Sequence, residues 1–129
     1  MSILHKTLSD NIIKLSIDVQ KELGLGFLER VYENALIIAL QEEGLMVDQQ
    51  KQLDVYFRGQ NVGVYIADLI VEDKIILEIK AVDNIAKQHY AQLINYLKAS
   101  GKEVGYVINF GRLPLQFKRL AAKNQSIKD

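Results

Sequence analysis

The stretch DLIVEDKIILEIKA, residues 68–81, limits the fold of this chain more than any other. Two runs of Ile, Leu and Val flank a short charged break, the pattern of a β-hairpin whose strands seek a core. Asp68, Glu78 and Lys80 interrupt those runs. A charge in a core is costly unless it is paired or bound to a metal, so all three need a chemical reason. Side chains alternate along a strand, so Ile76, Glu78 and Lys80 share one face and Ile75, Leu77 and Ile79 the other. In the preceding strand, regular alternation sets Ile66, Asp68 and Ile70 opposite Tyr65, Ala67, Leu69 and Val71.

The turn decides whether Asp68 meets Glu78. A two-residue loop at Glu72-Asp73 pairs Val71 with Lys74 and sends the two carboxylates to opposite sides. A three-residue loop over Glu72–Lys74, or a bulge, pairs Val71 with Ile75 and sets Asp68 across from Glu78. In that second register the carboxylates stand roughly 5 Å apart at Cβ, with Lys80 two residues further along. Two such carboxylates repel, and a divalent cation such as Mg²⁺ resolves the conflict by accepting both as hard oxygen ligands. Lys80 would then lie where it can orient a water or stabilise charge developing on a phosphoryl group. The plainer reading is a surface hairpin with an ordinary Asp–Lys or Glu–Lys pair, because the D…ExK pattern alone is weak.

The rest of the chain supplies the setting. Ser9 or Asp10 can cap a first helix reaching about Leu23, with the apolar stripe Ile12, Leu15, Val19 and Leu23. Gly24 to Gly26 end it, and a second helix runs from about Phe27 to Glu43, stopping at Gly44. Leu28, Val31, Ala35 and Ile38, with Tyr32, Leu36 and Leu40 beside them, predict a broad buried face. On this helix Glu29, Tyr32, Glu33 and Leu36 fall on one side, so Glu29 can look toward the sheet. A first strand places Leu53, Val55 and Phe57 on one side, RGQN turns the chain, and VGVYIADLIV and IILEIKA follow as strands. A third helix over about Asn84–Ser100 carries Ile85, His89, Gln92, Leu93 and Tyr96 as one stripe. Three polar-tipped side chains on a packing face suggest a polar pocket. EVGYVINF is a further strand, Pro114 marks a turn, and QFKRLAA is a short strand or helix. The order ααβββαβ plus a short terminal element predicts an α/β (α+β) fold, a mixed sheet flanked by helices.

Composition narrows the chemistry. The 129 residues suit one domain over 1–129, and 49% hydrophobic with 25% charged content excludes a disordered chain. Without cysteine there is no disulfide, thiolate metal site or cysteine nucleophile. Two histidines, and no serine with a recognisable base, leave triad chemistry without support. The N-terminal stretch is broken by charge every few residues, so no signal peptide or membrane span is expected, and the default is a cytoplasmic protein. Net charge is zero, unlike a general nucleic-acid coat, yet it is unevenly spread. Residues 1–73 hold 6 Lys and Arg against 12 Asp and Glu, and residues 74–129 hold 10 against 4. A basic C-terminal half can face phosphates.

GFLERVY, Gly26 to Tyr32, matches the GxxExxY signature of a family of small bacterial proteins, and the similarity continues through ADLIVEDKIILEIKAV, HYAQLINYLKASG, GYVINFG and FKR. The chain thus resembles the GxxExxY protein family, part of the PD-(D/E)xK nuclease superfamily. That resemblance implies a restriction-endonuclease-like fold and a nuclease that hydrolyses phosphodiester bonds of DNA with Mg²⁺ or Mn²⁺. It implies Asp68 and Glu78 as metal-binding carboxylates, Lys80 as catalytic lysine, Glu29 as the helical acid completing the site, and the Ile79 carbonyl as a further ligand. QLINY resembles the QxxxY element of recombination-related exonucleases, which would place Gln92 and Tyr96 at the site. The chain departs from the pattern at Ile66, where many relatives have arginine, and at Ala67, where the nominal proline stands. Lys87, Lys98, Arg112, Lys118 and Arg119 are candidate contacts to a nucleic-acid backbone. So small a chain would draw specificity from a homodimer or a partner protein. The rival reading is a catalytically inactive nuclease-fold module that binds nucleic acid or a protein.

Overall fold

The structure, a computed structural model, describes residues 3–122. Its elements are α1 (Lys6–Leu23), α2 (Glu29–Glu42), β1 (Val47–Phe57), β2 (Gln60–Val71), β3 (Ile75–Lys80), α3 (Lys87–Ser100), β4 (Val104–Asn109) and β5 (Gln116–Ala121). The order matches the sequence-based expectation, and the terminal element is a strand. The five strands form one sheet in sequential order, with β3 and β4 parallel and every other neighbour antiparallel. Helices α1 and α2 cover one face, packing Ile12, Tyr32, Leu36 and Leu40 on Leu69, Ile75, Leu77 and Ile108. Helix α3 covers the other, packing Leu93, Tyr96 and Leu97 on Ile70, Ile76 and Val107. Burial on both faces is why β3 and β4 read as nearly continuous apolar runs. No helix among the described residues is long and apolar enough to cross a membrane.

Several local expectations are corrected. Helix α1 begins at Lys6, so neither Ser9 nor Asp10 is its cap, and Ser9 is buried within it. On α2 the buried arc is Tyr32, Glu33, Leu36 and Leu40, while Leu28, Val31 and Ile38 are exposed. Both arcs are apolar, so helical period alone could not say which one meets the sheet. Helix α3 starts at Lys87 rather than near Asn84, although Ile85 is still buried against it. In β1 Leu53 is buried and Phe57 exposed, and opposite Val55 and Tyr56 strand β2 bulges, leaving its Val62 without a partner in the ladder.

The β2–β3 turn takes the three-residue form. Val71 pairs with Ile75, Ile70 with Ile76 and Leu69 with Leu77. Glu72 and Asp73 both adopt left-handed backbone (φ 54° and 55°), and the Lys74 N–H closes the loop on the Val71 carbonyl at 3.0 Å. The regular alternation expected along β2 fails at Asp68. Ala67 packs with the α3 layer and Tyr65 packs at a tilt on Tyr96, whereas Leu69 and Val71 pack with α1 and α2. Directly across on β1, Gln50 has φ 52° and drops out of a ladder that pairs Gln49 with Leu69 and Lys51 with Ala67. Both strands are therefore kinked at the same level.

Two glycines make the close approaches near this region. A Cβ on Gly105 would lie 2.8 Å from Leu93 Cδ1, and one on Gly111 would lie 2.6 Å from the Val82 nitrogen and 2.7 Å from the Ala81 carbonyl carbon. Leu93 is a side chain that can yield, whereas backbone atoms cannot. Urea denaturation of Gly111→Ala is expected to show a loss of about 2–3 kcal/mol, exceeding that of Gly105→Ala. Equal midpoints for Gly111→Ala and wild type would contradict this packing.

Candidate active site

Beyond Leu69 and Leu77 the β2–β3 ladder stops, and side chains take over the hydrogen bonds. Asp68 Oδ2 accepts the Ile79 N–H at 2.8 Å, and Glu78 Oε2 accepts the Asp68 N–H at 3.1 Å. The two carboxylates thus sit crosswise in a fork between the parting strands. The N–H and C=O of one strand residue leave by the same edge, so the Ile79 carbonyl is directed toward this fork too. Asp68 Oδ1 accepts Gln50 Nε2 at 3.3 Å, and Gln50 also reaches Glu33 Oε2 at 3.0 Å. A cavity of about 450 Å³ opens between α2 and the fork, with Glu29, Arg30, Glu33, Gln50, Asp68 and Ala81 on its walls.

The segment Gly26 to Tyr32 sets the helical side of this cavity. Gly26 at φ 105° turns the chain in a way other residues rarely can. The Tyr32 hydroxyl donates to the Gly24 carbonyl at 2.6 Å and accepts the Phe27 N–H at 3.3 Å, tying the turn to α2. The Tyr32 ring stacks on Phe110, with centroids 4.9 Å apart. Glu29, in the first turn of α2, then accepts the Ala81 N–H at 3.2 Å. The segment after Lys80 is pinned further: Asn109 bonds both the N–H and the carbonyl of Val82, and Gln116 Oε1 accepts the Ile85 N–H. Lys80 is half-buried, and its carbonyl accepts the Phe110 N–H at 2.8 Å. Among the described residues its ammonium has no carboxylate within 4.0 Å.

Electrostatics follow from this crowding. Glu78 is only 4% exposed, and burial followed by the Asp68 charge pushes its carboxyl up to about 9. Asp68 is also raised, first by burial, with the Ile79 N–H opposing. Tyr96 rises to about 12 through burial and the negative charges of Glu78 and Asp68, so it keeps its proton as a donor. His89 is lowered by burial and by Lys80. Its Nδ1 accepts the Ala86 N–H at 3.0 Å, which leaves the proton of the neutral ring on Nε2.

The expected residues do not all gather. Asp68, Glu78 and the Ile79 backbone meet at the fork, with Lys80 acting electrostatically on both carboxylates and both carboxylates acting on Tyr96. Glu29 stands on the cavity wall, but its carboxylate is directed at the Ala81 N–H. Among the described residues, no three His, Cys, Asp or Glu side chains form a group that could hold a metal ion, so the anticipated convergence is a pair rather than a cage. Gln92 is exposed on α3. Lys87, Lys98, Arg112 and Lys118 are exposed, while Arg119 is spent on Ser9, Tyr106 and the Leu4 carbonyl beside α1. Periodicity missed Gln50, Glu33 and Asn109 as supports. Glu33 lay on the marked face of α2, but its amide partners come from a distant strand.

A family model describing the PD-(D/E)XK nuclease superfamily matches residues 6–120. The chain belongs to the PD-(D/E)XK nuclease superfamily. The mixed five-stranded sheet between helices is accordingly a restriction-endonuclease-like fold. No match was found among curated proteins or among solved structures. Superfamily nucleases generally use divalent metals, and the residues at the fork suit one. Mg²⁺ needs only one or two protein carboxylates beside water and phosphate oxygens, and Asp68 and Glu78, held close with both pKa values raised, are such a pair.

The raised Glu78 pKa has a sign that can be tested. Its folded value, about 9, lies above its ordinary 4.5, so its contribution to stability is fully present below pH 4.5 and lost as pH rises through 9. In chelator-treated buffer, wild type is expected to lose about 1.4 kcal/mol per pH unit from this group across that window. Glu78→Gln removes the loss, so its melting temperature should exceed that of wild type at pH 8 and converge with it at pH 4.5. Parallel curves would contradict a desolvated carboxyl.

Proposed function

We propose that this protein is a Mg²⁺- or Mn²⁺-dependent phosphodiesterase acting on DNA, and that within its superfamily it belongs to the GxxExxY family. The observation that carries this reading is the fork itself: two carboxylates crossed between parting strands, with the Lys80 ammonium beside them. Asp68 and Glu78, with the Ile79 carbonyl, would hold the cation, and Glu29 would complete the acidic wall. When bound, the cation supplies Lewis-acid polarisation of the scissile phosphate and charge neutralisation.

The chain's own residues do the rest. Lys80, on a backbone fixed by Phe110 and Glu29, stabilises negative charge developing on the phosphoryl oxygens and holds a water by donating to it. Tyr96 keeps its proton and can donate toward the same region, and Gln92 lies one turn earlier on α3. Gln50 orients the Asp68 carboxylate, and Glu33 in turn holds Gln50. Lys87, Lys98, Arg112 and Lys118 are the exposed cations available to a phosphate backbone. A domain this small would take any sequence preference from a second copy or from a partner protein.

The test compares wild type with Lys80→Ala on single- and double-stranded DNA and RNA, with Mg²⁺, Mn²⁺ or EDTA. Wild type should cleave DNA with either metal and stop in EDTA, and Lys80→Ala should lower the rate about 10²-fold or more. Binding without cleavage under every condition would instead identify a non-catalytic nuclease-fold module.

A further inference from the structure

Strands β1 and β2 run far beyond β3, which has only six residues, so their hairpin overhangs the sheet beside α3. Under the overhang lies a second cavity of about 460 Å³, with Tyr56, Tyr65, Asn95, Lys98 and Ala99 on its walls. Tyr56 reaches it where the β1–β2 ladder shifts register. Leu53 faces α3, so regular alternation would bring Val55 to that side and turn Tyr56 away. At this level β2 carries one extra residue, Val62, skipped between the pairs Val55–Gly63 and Tyr56–Asn61, and both Val55 and Tyr56 line the groove. Tyr56 is 63% exposed there. Tyr65, also exposed, packs on Tyr96 with ring centroids 5.2 Å apart and planes tilted by 53°, and Tyr96 feels the charges of Glu78 and Asp68.

The groove lies on the α3 face of the sheet, the face to which strand alternation assigns Glu78 and Lys80 together with Ile76. Along α3, His89, Gln92, Tyr96 and Ala99 fall at i, i+3, i+7 and i+10, a single stripe of about 15 Å leading from the Lys80 side to the groove. Aromatic faces spaced along a track with a lysine at its side suit unstacked bases and their phosphates, whereas the edges of a duplex offer no exposed base face. Asp54, the acid in the groove, has its Oδ1 taken by Gln52 Nε2 at 3.0 Å.

We propose that this groove binds single-stranded DNA and leads it to the fork, with Tyr56 and Tyr65 as stacking surfaces and Lys98 as a phosphate contact. The proposal rests on the nuclease reading for its direction but not for its test. Fluorescence anisotropy in EDTA, where no cleavage can occur, follows fluorescein-labelled oligo-dT, a blunt duplex and oligo-rU. Wild type should bind oligo-dT most tightly. Tyr56→Ala, at an exposed position, should weaken it about tenfold or more, Lys98→Ala should flatten its salt dependence, and Lys14→Ala on α1 should leave it unchanged. Equal affinity for the duplex, preference for oligo-rU, wild-type affinity in Tyr56→Ala, or a dimer in size-exclusion chromatography that Tyr56→Ala dissociates would each overturn it. Metal-dependent cleavage of duplex with no single-strand preference would spare the fork reading and remove this one. Tight oligo-dT binding without cleavage would do the reverse.

Discussion

The exchange of two hydrogen bonds between Asp68 and the strand opposite holds the site in place. Where β2 leaves β3, the Ile79 N–H would lose its ladder partner, and a buried donor without an acceptor is costly. The Asp68 carboxylate supplies that acceptor, while Glu78 accepts from Asp68 itself. The strands can part because carboxyl oxygens replace carbonyls, and those oxygens are then held beside one another. The fork and the charge conflict are one feature seen from two sides.

That conflict is held against relaxation by neutral polar groups. Gln49, Gln50, Asn109 and Gln116 place amides around the fork and the segment after Lys80, and Gln20 holds the Phe110 and Arg112 carbonyls from α1. Amides are suited to this work, since each can donate and accept without adding a charge that would cancel the acidic centre. The GxxExxY stretch makes local sense in the same terms. Its glycine turns the chain, its glutamate captures the Ala81 N–H, and its tyrosine locks the turn while filling the core against Phe110. One short segment thus couples the α1–α2 corner to the end of β3.

Breaks in β regularity give the sheet its two chemical regions. The matched kink at Gln50 and Asp68 opens the acidic fork on the α2 side, and the β2 bulge at Val62 lies opposite Val55 and Tyr56, which line the groove beside α3. Beside the groove, Tyr65 and Tyr96 pack as a tilted aromatic pair. An unbroken ladder would have made a flatter sheet with neither opening.

Much of the fold is legible in the amino-acid sequence. Continuous apolar runs with helices before and after specify a sheet covered on both faces, because only such strands bury both sides, and glycines at Gly24, Gly44 and Gly101 end helices wherever they occur. The charges at Asp68, Glu78 and Lys80 stood out against that background for the same local reason. What the chain alone left open were choices between locally equal states: a two- or three-residue turn, either apolar arc of α2, or alternation continued or broken at Asp68. Each was settled by partners distant in sequence, as when Glu33 meets Gln50 or Asn109 grips Val82. Local propensity determined which elements exist; only tertiary packing, which must satisfy every buried donor at once, decided how they face one another.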